Sequence, residues 1–211
     1  MSTTKTTWNS IRRRPAIRSC LRQGLINYSA LARQICKEER IRNFQAVLSA
    51  CRRYGAQTKV GTDPEAPILK ILREGHMIVT THMAVSVVEK PRDLETVDLV
   101  RREAKKLKGE INIIEGRDVM TIFHSERLSY LIRKAFGRRV IRLVSDLSQI
   151  TLLLDERFET TPGVVAYIYG LLAFEGINIR EEASCGTDLI LLVSNSDMQK
   201  TTDLFSRFWL K

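Results

Sequence analysis

The run Thr161-Pro162-Gly163-Val164-Val165-Ala166-Tyr167-Ile168-Tyr169-Gly170-Leu171-Leu172-Ala173-Phe174-Glu175-Gly176-Ile177-Asn178-Ile179 leads, after a polar turn, to Leu189-Ile190-Leu191-Leu192-Val193. Thr161 reads as an N-cap and Pro162 as the first helical residue, where a missing N–H costs nothing. Val164, Ile168, Leu171 and Leu172 recur at helical spacing, and Gly176 stands where a helix ends in a left-handed turn. Ile177 to Ile179 then opens a strand, and Leu189 to Val193 is apolar enough to be a buried one. The order is helix, strand, strand.

Working outward, the same order is found twice. Met77 to Val88 reads as one or two strands. A helix opened by Pro91 to Asp93 follows, with Val97, Val100, Ala104 and Leu107 on one face and Gly109 at its end. Strands at Glu110 to Ile114 and Val119 to Phe123 precede a helix at Glu126 to Phe136. The second round has a strand at Ile150 to Leu154, the Val164 to Phe174 helix, strands at Ile177 to Arg180 and Leu189 to Val193, and a helix at Asp197 to Trp209. Both rounds carry Ile-Asn-Ile after the first helix, at 111–113 and 177–179, and both enter the last helix with Ser then an acid. This is an internal duplication. The fold class expected is α+β, with two ferredoxin-like βαββα repeats whose helices cover one sheet face.

The second repeat resembles the ACT domain, a small-molecule-sensing module of amino-acid metabolism. The residues that carry the resemblance are Thr161-Pro162-Gly163-Val164, Leu171 to Gly176, Ile177-Asn178-Ile179 and the Ser184…Thr187-Asp188 turn. The first repeat is similar but degenerate, with Lys90-Pro91-Arg92-Asp93 in place of the Pro-Gly. The whole arrangement resembles the archaeal family of predicted regulators of amino-acid metabolism that contain ACT domains. The resemblance implies that repeats pair, within the chain, between chains or both, and that the protein is a homo-oligomer. Expected segments are a basic helix-turn-helix-like domain at 1–60, a linker and short helix at 61–75, a degenerate ACT-like repeat at 76–137 and an ACT domain at 138–211.

A helix opening at Pro162-Gly163 leaves the N–H groups of Gly163, Val164 and Val165 without intrahelical partners, and the helix dipole favours an anion there. The carboxylate of a free amino acid suits it. The candidate ligand-binding residues are Thr161, Pro162, Gly163, Val164, Val165, Asn178 and Ile179, with the Asn178 amide offering both a donor and an acceptor.

The 211 residues carry a net charge of +10, unevenly placed. Residues 1–60 hold 13 Lys/Arg against Glu38 and Glu39, and residues 61–211 hold 21 bases against 22 acids. The basic excess of the first segment points to a polyanion, DNA above all. Residues 1–9 are polar and are expected to fray, with a short helix starting at Trp8 and Ile11. Three short helices follow, ending at Gly24, near Glu38 and at Gly55, with Gly55 to Pro67 as linker. Read as a helix-turn-helix-like module, the third helix enters the major groove. It presents Asn43, Gln45, Ser49, Arg52 and Arg53 to bases, while Arg12, Arg13, Arg14, Arg18, Arg22 and Arg33 meet phosphates, and Arg42 is a further nucleic-acid-binding candidate. The bland alternative is a solvated, protein-binding helical face.

Cys20, Cys36 and Cys51, one per helix, read as small buried hydrophobes rather than metal ligands. His76 and His82 are expected on one face of a strand, and His124 stands alone. No phosphate-cradling, nucleophile-elbow or zinc-protease motif is present, so no catalytic residue, cofactor or metal is expected. The polar start and the lack of a long apolar run lead to the expectation of a cytoplasmic protein without membrane spans. The function expected is a DNA-binding transcriptional regulator that senses an amino acid. The alternative is a regulatory subunit or oligomerisation adaptor of a biosynthetic enzyme, without DNA binding.

Overall fold

The computed structural model describes residues 2–58, 65–91 and 95–209. Contacts divide the chain into two compact units, Met1–Asp63 and Pro64–Lys211. The breakers Gly61 and Pro64 lie outside the described residues, as do Arg92 and Asp93 of the first repeat's loop.

Among its described residues the first unit has four helices: α1 (Thr3–Arg12), α2 (Pro15–Gln23), α3 (Tyr28–Glu38) and α4 (Phe44–Thr58). The polar start does not fray. Its threonines make a poor helix by propensity, but α1 buries Thr7, Ser10 and Ile11. The Trp8 indole N–H also donates to the Ala50 carbonyl at 3.1 Å, and its ring meets Tyr54 edge-on at 5.8 Å. Tertiary contact has overridden propensity. Gly55 does not end α4 either. A β-carbon there would sit 2.9 Å from Cζ of Tyr28, so this glycine admits a neighbouring ring and the helix continues to Thr58. Ile11, Leu21, Ile35, Val47 and Cys51, all fully buried, centre the core of this unit. Burial pushes the Cys51 thiol up to about 11, with nearby Cys36 adding to the shift, so it is inert packing.

The second unit is built on one antiparallel sheet of six strands. Its elements are α5 (Ala66–Glu74), β1 (His76–Glu89), α6 (Glu95–Lys106), β2 (Ile111–Glu115), β3 (Val119–Ser125), α7 (Ser129–Phe136), β4 (Val140–Leu153), α8 (Arg157–Thr160), α9 (Val164–Phe174), β5 (Ile179–Cys185), β6 (Asp188–Ser194) and α10 (Met198–Ser206). The strand order is β2-β3-β1-β4-β6-β5, so the two repeats meet along β1 and β4. They pair within the chain.

Both central strands are 14 residues long, and each serves both repeats. The first repeat uses Met83–Glu89 against β3 and borrows the start of β4 as a fourth strand. The second uses Leu147–Leu153 against β6 and borrows His76–Thr80 of β1. Each half thereby reaches the four-stranded ferredoxin-like layer that a βαββα repeat alone lacks. This is why β4 starts at Val140, ten residues before the strand expected at Ile150.

Three register shifts interrupt the β1–β4 pairing, the last between Val87 and Val88, and the first two set the faces. Between Thr80 and Met83, β1 carries one residue more than β4; between Met83 and Val85, β4 carries the extra one. His82 and Asp146 sit at these points with φ of +56° and +59°, the bulge geometry that breaks alternation. Met77 therefore faces the core under α9 while Met83 faces away from it. Val88 faces the core under α6 and α7. Strands paired in register point side chains the same way, so the helices of both repeats cover the same face of the sheet. His76 and His82 do not share a regular strand face, because the bulge falls between them.

The second-repeat core includes Leu152, Ile168, Leu172, Leu191 and Phe205, and also Ile68, Ile71 and Leu72 of α5. The helix expected to be a connector is part of this core. Trp209 donates from its indole to the Leu72 carbonyl at 2.8 Å, fastening the far end of the chain to it.

His124 is fully buried. It lies 2.9 Å from the Ser86 hydroxyl through Nε2 and 3.0 Å from the Ser125 carbonyl through Nδ1. The carbonyl can only accept, so Nδ1 carries the proton and Ser86 donates to Nε2. Burial lowers the His124 pKa below its usual 6.5, against the opposing pull of the Ser125 carbonyl and Glu126. The unfolded chain therefore binds more protons here than the folded one below about pH 6.5, and stability is lost as pH falls through that value. Urea unfolding at pH 7.5 and 5.5 will show this fall, and His124→Gln will flatten it.

Candidate effector site and basic helical face

The segment between β4 and α9 is tightly organised. Asp155 accepts from the Arg157 backbone N–H at 2.8 Å and from the Arg157 guanidinium, which also reaches Glu74 at the end of α5. The guanidinium holds the Asp155 carboxyl below the usual carboxylate range. Phe158 of α8 is buried, and the Thr161 N–H closes α8 onto the Arg157 carbonyl at 2.8 Å. Thr161 is thus the end of α8, not the cap of α9. The cap is Gly163, at φ +96° and ψ −4°, a conformation open to glycine and strained for L-residues. Pro162 precedes the helix instead of starting it.

The first bond of α9 runs from the Tyr167 N–H to the Gly163 carbonyl at 2.8 Å. No side chain caps the turn, and Pro162, Gly163, Val165 and Ala166 are exposed. Val164 buries its side chain in the core but leaves its N–H in the first turn. The helix dipole and the uncapped donors of that turn favour an anion there. Ile68 of α5 would lie 3.5 Å from a β-carbon at Gly163. Tyr167, in the first full turn, has its pKa raised by burial and by the charge of Glu65. Sequence reading missed α5 and Tyr167 as neighbours of this end. Their helical pattern was visible, but no local signal says where a helix docks.

Asn178 and Ile179 are not brought to Gly163. They follow the other end of α9, where the Ile177 N–H closes on the Leu172 carbonyl at 2.9 Å. Eleven helical residues at 1.5 Å each separate the two ends by about 16 Å. The one-repeat site expected from the sequence therefore splits, and Thr161, Pro162, Gly163, Val164 and Val165 form one cluster without Asn178 and Ile179.

On the basic unit, Arg12, Arg13, Arg18, Arg33, Arg42, Arg52 and Arg53 are exposed, as are Gln45 and Ser49. Gln45, Ser49 and Arg52 fall at i, i+4 and i+7 along α4. Three expected contacts are engaged inside the fold. Asn43 accepts from the Ala46 N–H at 3.0 Å and so caps α4. Arg53 donates to the Thr4 hydroxyl at 3.1 Å. Arg14 pairs with Glu38, whose carboxyl is held below its usual range by Gln34 and by Arg14.

Among the described residues no group of three His, Cys, Asp or Glu side chains could hold a metal ion. None of their helices is long and apolar enough to cross a membrane.

No protein-family model and no curated protein sequence matches this chain. Its fold does match solved structures. The regulatory subunit of aspartate kinase from Thermus thermophilus is 13% identical, aligns over 65% of this chain and 98% of its own, and has a TM-score of 0.50. That from Thermus flavus is 14% identical over 63% of this chain and 95% of its own, with a TM-score of 0.50. The aspartate kinase of Clostridium acetobutylicum, an allosteric enzyme, is 15% identical over 64% of this chain but only 34% of its own, with a TM-score of 0.51. The shared feature is the mixed helix and antiparallel-sheet fold.

Proposed function

We propose that this chain is a non-catalytic regulatory protein that binds an amino acid through ACT-type repeats and passes the signal to a biosynthetic enzyme as its regulatory subunit. The observation that carries this reading is the α9 amino terminus. It is capped by a positive-φ glycine, no side chain bonds its first-turn donors, and it sits in the fold seen in aspartate kinase regulatory subunits. The α-carboxylate takes the Gly163 to Val165 donors, and coupling requires the amino acid to bind one conformation of the protein more tightly than another.

A thermal-shift series with the free amino acids tests the binding step. A ligand present at about 100 times its Kd stabilises by about 2.7 kcal/mol, so one amino acid at millimolar concentration will raise Tm by several degrees. Gly163→Val will abolish that rise, since a β-branched residue at φ +96° must move the turn. No shift with any amino acid, or an equal shift in the variant, removes the proposal. Co-purification of an enzyme at fixed stoichiometry tests the second step.

The charge of the first 60 residues favours a second reading, in which the output is DNA binding. Gln45, Ser49 and Arg52 then face the bases and the exposed arginines the phosphates. Binding affinity will fall steeply with salt as counterions are released, and Arg52→Ala will weaken it. Affinity indifferent to salt excludes this output and leaves the enzyme partner.

A further inference from the structure

The pairing registers leave part of a central strand bare. β1 is bonded to β3 only from Met83 to Glu89, while its first part, His76–Thr80, is bonded to β4 alone. The opposite edge of that part therefore faces no strand, and among the described residues no loop or helix backbone bond covers it. The bare run, His76-Met77-Ile78-Val79-Thr80-Thr81, has no Lys, Arg, Asp, Glu or Pro. Ile78 is 52% exposed and Val79 37%. Edges of monomeric proteins are blunted by charge, proline, bulges or covering elements, and this one has only the bulge at its far end.

The duplication supplies a comparison within the molecule. The matching part of β4, Val140–Val144, is likewise bonded on one side only, because β6 pairs from Leu147. There Arg142 is ion-paired with Glu181 of β5, which puts a fixed charge on the edge and leaves a cleft of only about 30 Å³. Beside the β1 edge the cleft is about 600 Å³, lined by Thr80, Thr81 and His82 on one side and by Lys108, Glu110, Ser125, Glu126 and Arg127 on the other. One of two equivalent edges is blunted and the other is open.

We propose that the open edge of β1 pairs with the same edge of a second copy, antiparallel and about a two-fold axis at Ile78. Three observations select a second copy. The run is uncharged and reads well against itself: Met77 falls opposite Val79 of the second copy and His76 opposite its Thr80, with Ile78 facing Ile78 on the axis. Pairs whose numbers sum to an even value keep each residue on its own face, so the helices of both copies cover one face of a continuous twelve-stranded sheet. Residues 61–211 are nearly neutral, with 21 bases and 22 acids, so two such units approach without repulsion. Finally, β1 already pairs antiparallel along its other edge with the strand that duplicates it. The large cleft gives room for the second copy's chain as it leaves α5 at Gly75. The interface is two-fold and closed, so the assembly stops at a dimer.

Sedimentation equilibrium of the full chain, with hydrogen exchange at two concentrations, tests this. The wild type will be a dimer at micromolar concentration, and amides of 76–81 will gain protection as concentration rises. Ile78→Glu and Ile78→Lys will each weaken association about tenfold or more, because like charges then face each other across the axis. An equimolar mixture of the two variants will recover the dimer. Ile141→Glu, at a 57%-exposed residue of the other edge, will leave it intact. A monomeric wild type overturns the proposal, including one whose β1 edge is protected only by an added extended peptide. So does a dimer that survives Ile78→Glu, or one lost on Ile141→Glu alone.

Discussion

Residues 138–211 expressed alone will not fold, whereas 65–211 will give a cooperative unfolding transition. The shorter piece holds the second ACT-like repeat in sequence terms, yet it lacks two parts of its own structure. His76–Thr80 is its fourth strand, and Ile68, Ile71 and Leu72 are members of its core. Burying a large aliphatic side chain contributes about 1.5–3 kcal/mol, so losing three of them removes an amount comparable to the 5–15 kcal/mol net stability of a whole domain. Leu147, Gln149 and Thr151 would also become members of an open edge strand. Far-UV circular dichroism and urea titration of both pieces check this. A cooperative, native-like 138–211 would mean that the borrowed strand is dispensable.

The second large effect is expected of Phe205→Ala. Phe205 lies on α10 with no exposed surface, in the same core as Leu172 and Leu191. Truncating a buried phenylalanine costs about 3–5 kcal/mol through lost transfer energy and the cavity left behind. For a unit of this size each kcal/mol lowers Tm by about 2–4 °C, so a fall of roughly 6–20 °C is expected in calorimetry. Phe174→Ala is the control. Phe174 is 91% exposed at the end of α9, and its removal should leave Tm nearly unchanged.

The duplication was legible because its signals are local. The Val164, Ile168 and Leu172 spacing gave α9, and the Leu189 to Val193 run gave β6. What local signals could not carry was sharing. Val140 to Ser145 includes Arg142 and has no clean alternation, because a register shift opposite Val87 and Val88 interrupts it, so the first part of β4 was invisible until its partner in β1 was known. Gly55 was misread because a glycine that admits a ring and one that ends a helix look alike in sequence. Thr3 to Thr7 was misread because its helix is held by Trp8 on Ala50, a contact across 42 residues. At the candidate site, Gly163 was found by its Pro-Gly neighbourhood, and its partners Ile68 and Tyr167 were not. Asn178 was misassigned because nearness to a helix in sequence does not say which end of it a residue follows.

The residues at His82 and Asp146 decide more than local twist. Each adds one step to a strand, and a strand shows its two sides by turns. Without both added residues the helices of one repeat would lie on the reverse side of the sheet from those of the other. The chain would then be a three-layered sandwich, sheathed above and below, with nearly the same sequence. Two inserted residues thus decide the number of layers.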